Sequence, residues 1–143
     1  MADARVWVFF YGSYMNPDVL REVEIVPVEW EVGRLNGFDI EIRPRANLVR
    51  SEQHCVYGVL TTATHAQLTR LYAHAKDVLG ETYLPFPVCA ETLDGKSRPV
   101  LCYIAPVMEP RAVDQRYLER ILRPAREFRL PAWYVERLER FRD

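Results

Sequence analysis

The residues best suited to chemistry form a short run near the start of the chain, Tyr11-Gly12-Ser13-Tyr14-Met15. A glycine that follows a strand lets the backbone approach a ligand closely, and successive amides from Gly12 to Tyr14 can form a concavity that binds an anion. The Ser13 hydroxyl adds a further donor. Such a site suits a carboxylate, or an oxyanion in acyl transfer, where one donor lowers the barrier by about 2.7–4 kcal/mol. The same residues also read as a turn that joins a strand to a helix and does nothing more. A nucleophilic Ser13 is disfavoured, because the nucleophile-elbow pattern requires glycine two residues after the serine and Met15 stands there. His54, His65 and His74 and the acids around them have no metal-ligand spacing, so neither a metal nor a cofactor is expected.

The elements around this run define what would position it. Arg5-Val6-Trp7-Val8-Phe9-Phe10-Tyr11 is β-branched and aromatic without strict alternation, which predicts a central strand covered on both faces. Asn16-Pro17-Asp18 supplies an N-cap, a proline at the first helical position and an acid in the first turn, so a short helix should run to about Val23. Strands follow between Ile25 and Ile42, with a hairpin turn expected at Asn36-Gly37, and again at Cys55 to Leu60 after a polar stretch through Gln53. Thr64 and Gln67 form a capping box for a helix reaching about Lys76. Tyr83 to Ala90 and Arg98 to Ile104 flank the turn Leu93-Asp94-Gly95-Lys96, which predicts a second hairpin. Helices are expected over 114–128 and 131–141. The order is α+β, in one domain spanning 1–143.

With 143 residues, 49% hydrophobic and 27% charged, the chain can bury a core and is not disordered. A net charge of −1 gives no field to attract nucleic acid or an anionic membrane. The run Val6 to Phe10 falls far short of the ~20 apolar residues of a membrane span, and Met1 to Arg5 lacks a signal pattern. A cytoplasmic location is expected, with Cys55, Cys89 and Cys102 as buried free thiols. Nine arginines between Arg111 and Arg142 are mixed with six acids, from Asp114 to Asp143, and read as a solvated helix face laced with ion pairs.

The segment Phe9-Phe10-Tyr11-Gly12-Ser13-Tyr14-Met15-Asn16 resembles the N-terminal signature of the γ-glutamylcyclotransferase-like family. Ala46-Asn47-Leu48-Val49, Val56-Tyr57-Gly58-Val59-Leu60 and the stretch from Tyr117-Leu118 to Trp133-Tyr134 extend the resemblance along the chain. It implies a small, mainly antiparallel β-barrel with flanking helices, and a pocket for a γ-glutamyl group formed by Tyr11, Gly12, Ser13, Tyr14, Met15 and Tyr83. It also implies acyl transfer, in which the glutamyl α-amine attacks its own γ-carbonyl to give 5-oxoproline and a free amine. That reaction needs a held carboxylate, a stabilised oxyanion and a base.

The base is where the resemblance breaks. The family carries a glutamate after the helix, in a Leu-Asp-x-x-Glu-Gly pattern. Counted from Leu71, that position reads Ala75. The candidate substitutes are Glu81, two residues before Tyr83, and His74, an imidazole of the kind that most often serves in general acid–base catalysis. Two functions remain open at this point: a cyclotransferase using Glu81 or His74, or a fold that binds a small amino-acid-like ligand or a partner without turnover. The leaving amine and the oligomeric state are not legible.

Overall fold

The computed structural model describes residues 4–142. Met1 to Asp3, part of the segment read for a signal pattern, and Asp143 lie outside the described residues. Five strands close into a barrel in the order β1-β3-β2-β4-β5: β1 Arg5–Phe10, β2 Trp30–Ile42, β3 Ala46–Thr64, β4 Leu84–Thr92 and β5 Ser97–Ile104. All pairings are antiparallel except β1 with β5. Four α-helices flank it: α1 Pro17–Arg21, α2 His65–His74, α3 Gln115–Glu127 and α4 Ala132–Glu139. No helix among the described residues is long and apolar enough to cross a membrane.

The first strand is central, as its unbroken apolar character requires. It pairs β3 along its whole length and β5 at Val8 and Phe9, and Val8, Phe9 and Phe10 are buried. Gly58 of β3 makes this packing possible, since a Cβ there would collide with the Phe10 carbonyl oxygen and the Phe9 ring. The end of β1 is thus fixed against β3, and the Gly12 turn follows directly from it.

Asn36-Gly37 does not turn the chain. Gly37 takes its positive φ of 87° within β2, at a bulge where the register jumps from Asn36↔Cys55 to Phe38↔Arg50. Positive φ at an Asn-Gly pair suits a bulge as well as a hairpin. Here the apolar positions Phe38, Ile40 and Ile42 continue the strand into the core, and the reversal comes at 43–45, where the Arg43–Pro44 peptide is cis. The polar stretch 51–54 belongs to β3 and is the excess the bulge leaves without β2 partners.

The Thr64/Gln67 capping box forms, with both hydrogen bonds at 2.9–3.0 Å. The α2 helix stops at His74, earlier than Lys76, because the chain widens into a π-helical turn, Ala75–Leu79, that ends at Gly80 with φ 79°. Helices α3 and α4 bury Leu118, Ile121, Leu122, Tyr134 and Leu138 against the barrel. Of the cysteines, Cys102 is buried, Cys55 is half-buried and Cys89 is exposed, which corrects the reading of three buried thiols: Cys89 sits where β4 faces outward.

Candidate functional site

Asn16 caps α1 through its side chain, accepting from the Asp18 amide at 3.0 Å, and this pins the far side of the turn that leaves β1. Between them Ser13–Met15 form a single 3-10 turn, in which the Met15 amide donates to the Gly12 carbonyl at 3.0 Å. The Ser13 and Tyr14 amides, the first of that turn, find no protein acceptor among the described residues, as the start of a helical turn dictates. Both residues line a tyrosine-rich cavity, whose wall includes Gly12, Ser13, Leu79 and six tyrosines, Tyr11, Tyr14, Tyr72, Tyr83, Tyr103 and Tyr117. Its free volume is about 30 Å³. That is room for about two waters, so a larger group enters when a wall residue moves.

The tyrosines come from the 3-10 turn, α2, β5, α3 and the residues that follow β1 and precede β4, and they lock one another in place. Tyr72 of α2 stacks on Tyr103 of β5 with ring centroids 3.7 Å apart and 9° between planes. Tyr14 meets the edge of Tyr72 at 5.6 Å. The Tyr11 hydroxyl donates to the Tyr103 carbonyl at 2.6 Å. Two further phenols satisfy both backbone groups of Ala46, the first residue of β3: its amide donates to Tyr117 Oη at 2.9 Å, and the Tyr83 hydroxyl donates to its carbonyl at 2.5 Å. The Arg45 guanidinium lies 4.7 Å from the centre of the Tyr117 ring, and its Nε donates to the Leu79 carbonyl at 3.2 Å. The end of the π-helical turn is therefore tied to the hairpin tip.

Burial pushes Tyr11, Tyr14, Tyr72, Tyr83, Tyr103 and Tyr117 above the ordinary phenol value. At neutral pH these six hydroxyls are protonated donors and none serves as a base. Burial also pushes the nearby Cys102 thiol up to about 12, which keeps it from acting as a thiolate.

The structure brings Tyr11, Gly12, Ser13, Tyr14 and Tyr83 together on the cavity wall, and leaves three of the sequence candidates off it. Met15 points into the core and is fully buried, because the 3-10 turn rotates it away from Ser13. His74 ends α2 with Nδ1 3.3 Å from the Tyr14 oxygen, while the Tyr14 hydroxyl donates to the Leu71 carbonyl at 3.2 Å. Glu81 is half-exposed beyond Gly80 and reaches the site only as a charge felt by Tyr83. The residue that this segment does place on the wall is Leu79. A signal for it exists in the sequence: in the Glu-Gly pattern the acid immediately precedes glycine, and Leu79 immediately precedes Gly80. Five residues form the π-helical turn between α2 and that glycine. Ala75 is fully buried in the core. Tyr72, Tyr103 and Tyr117 were also missed as wall residues. No group of three or more His, Cys, Asp or Glu among the described residues is arranged to hold a metal.

A five-stranded ring with this turn, helix order and cavity is the γ-glutamyl cyclotransferase-like fold. The chain superposes on an uncharacterized protein from Homo sapiens with a TM-score of 0.83 and 22% identity, covering 94% of this chain and 86% of that one. It matches a gamma-glutamyl cyclotransferase at a TM-score of 0.79 and 21% identity over 95% and 87% of the two chains. A glutathione-specific gamma-glutamyl cyclotransferase from yeast follows at 0.66 and 10% identity, over 97% and 96%. No family model and no curated protein sequence matches the chain.

Proposed function

We propose that the chain binds a γ-glutamyl or similar amino-acid-like small molecule at the Gly12–Tyr14 turn and does not turn it over efficiently. The observation that carries this reading is the composition of the cavity wall: unpaired amides at Ser13 and Tyr14 suited to a carboxylate, six protonated phenols, and Leu79 in place of a proton acceptor. Tyr11, Tyr14 and Tyr83 already donate to backbone carbonyls, so the amides and the Tyr72, Tyr103 and Tyr117 hydroxyls are the donors left to fix an anionic head, and the tyrosine faces accept an ammonium beside it. Absence of a general base typically costs ~10²–10⁴ in rate, which separates binding from turnover.

A second reading, cyclotransfer of a γ-glutamyl amine to 5-oxoproline, draws on two contacts at the margin of the cavity. His74 lies against Tyr14, and the charge of Glu81 is felt at Tyr83. In that reaction the base takes a proton from the α-amine, the amine nitrogen bonds to the γ-carbonyl carbon, and the C–N bond to the leaving amine breaks as that amine gains a proton.

Binding of a panel of γ-glutamyl amines, measured by calorimetry, and release of 5-oxoproline from the same panel discriminate the two. The binding reading expects saturable binding and no release above background. Release that falls ~10²-fold in Glu81→Gln or His74→Gln, with affinity kept, establishes the cyclotransferase instead.

A further inference from the structure

We propose that the groove between the tip of the β2–β3 hairpin, the segment ahead of α3 and the end of α4 binds a small molecule through two or more linked phosphate groups. The groove has a volume of about 440 Å³, and its wall carries the guanidinium-bearing residues Arg43, Arg111, Arg140 and Arg142 and, among the described residues, no carboxylate residue. It shares no wall residue with the tyrosine-lined cavity.

Elsewhere in the basic C-terminal part four arginines are paired, and Arg116 and Arg129 have no carboxylate partner among the described residues. Arg120 pairs with Glu22 at 2.6 Å, Arg137 with Asp39 at 2.8 Å, Arg123 with Glu127 at 3.1 Å and Arg126 with Glu139 at 3.5 Å. The groove differs in gathering four arginines on one wall, two of them paired. Arg43 and Arg140 have no carboxylate partner among the described residues, Arg111 has an exposed contact to Glu109 at 3.6 Å, and Arg142 pairs with Glu119.

A helix C-terminus favours cations, which accounts for Arg140 and Arg142 after α4. It does not account for Arg43 and Arg111, which reach the same groove from other elements. The segment bearing Arg111 is anchored at its start: the Asn47 side chain donates to the Ala105 carbonyl at 2.9 Å and accepts from the Ala105 amide at 3.0 Å. Like charges gathered in a cleft raise the energy of the empty state and focus its field on an anion.

Guanidinium forks match phosphate and carboxylate oxygens, often two at a time. A single carboxylate has oxygens for one or two of them. Linked phosphates carry enough oxygens and charge for four, and the groove volume lies within the roughly 300–1,000 Å³ common for small-molecule sites.

The test is calorimetric titration of the full chain with inorganic pyrophosphate at low ionic strength, with the tricarboxylate tricarballylate as the competing chemistry. The expected result is one saturable pyrophosphate site, weakened about tenfold or more in both Arg43→Gln and Arg140→Gln, as loss of a charge-assisted hydrogen bond implies. Arg123→Gln, on the outer face of α3, should leave it unchanged. No saturable binding, an equal loss in Arg123→Gln, or tricarballylate bound as tightly as pyrophosphate overturns the proposal.

Discussion

Removing one oxygen atom from Tyr117 tests how the site is held together. Tyr117→Phe keeps the ring, its packing and its contact with Arg45, and deletes the acceptor that the Ala46 amide meets at 2.9 Å. Ala46 is 3% exposed, so only the small cavity that it lines with Tyr117 can supply a water in place of that acceptor. An orphaned buried N–H costs about 1–3 kcal/mol. At this chain length each kcal/mol moves Tm by roughly 2–4 °C, which gives an expected fall of about 2–12 °C. Tyr83→Phe deletes the donor to the carbonyl of the same residue. Under-satisfied carbonyls are better tolerated than orphaned amides, so its fall should be smaller. Thermal and urea unfolding of both variants, with unchanged m-values, checks the argument. A Tyr117→Phe protein as stable as the wild type, or less affected than Tyr83→Phe, refutes it.

Gly12→Ala places a methyl 2.9 Å from the Ala46 Cβ, so β1 and β3 must part beside the cavity. It should cost about 1–3 kcal/mol by overpacking and weaken ligand binding, both read by melting with and without a γ-glutamyl amine. Alkaline unfolding should be steep. Tyr11, Tyr14, Tyr72, Tyr83, Tyr103, Tyr117 and Tyr134 all have folded values raised by burial. Their contribution is therefore complete below the unfolded value of about 10 and is lost as pH rises above it. Tyrosinate absorbance and loss of structure should rise together; phenols that ionise at pH ~10 in a protein still folded contradict the burial.

The parts of the fold legible in the sequence are those governed by local chemistry. The Thr64 capping box, the Asn16 cap and the turn at Leu93 to Lys96 each depend on a few adjacent residues, and each formed. Asn36-Gly37 misled because its backbone preference is the same in a bulge and in a hairpin, and the pairing of β2 with β3 across a longer range decides between them. The Tyr-Gly-Ser segment was legible as a turn leaving a strand because its glycine and the Asn16 cap act locally. The cavity wall was not: Tyr72, Tyr103 and Tyr117 lie in three different elements, and only barrel closure brings them together. Leu79 was not legible as a wall residue, because the π-helical turn that places it leaves no mark in the apolar pattern.

Leu79→Glu tests the central claim most directly. It puts a carboxylate on the wall at the residue before Gly80, where burial among tyrosines would raise its proton affinity toward that of a useful base. The account predicts that the wild type binds a γ-glutamyl amine without releasing 5-oxoproline, and that Leu79→Glu gains release by ~10²-fold or more over that background. A wild type that already releases 5-oxoproline at an enzymatic rate, with Leu79→Glu no faster, would contradict it.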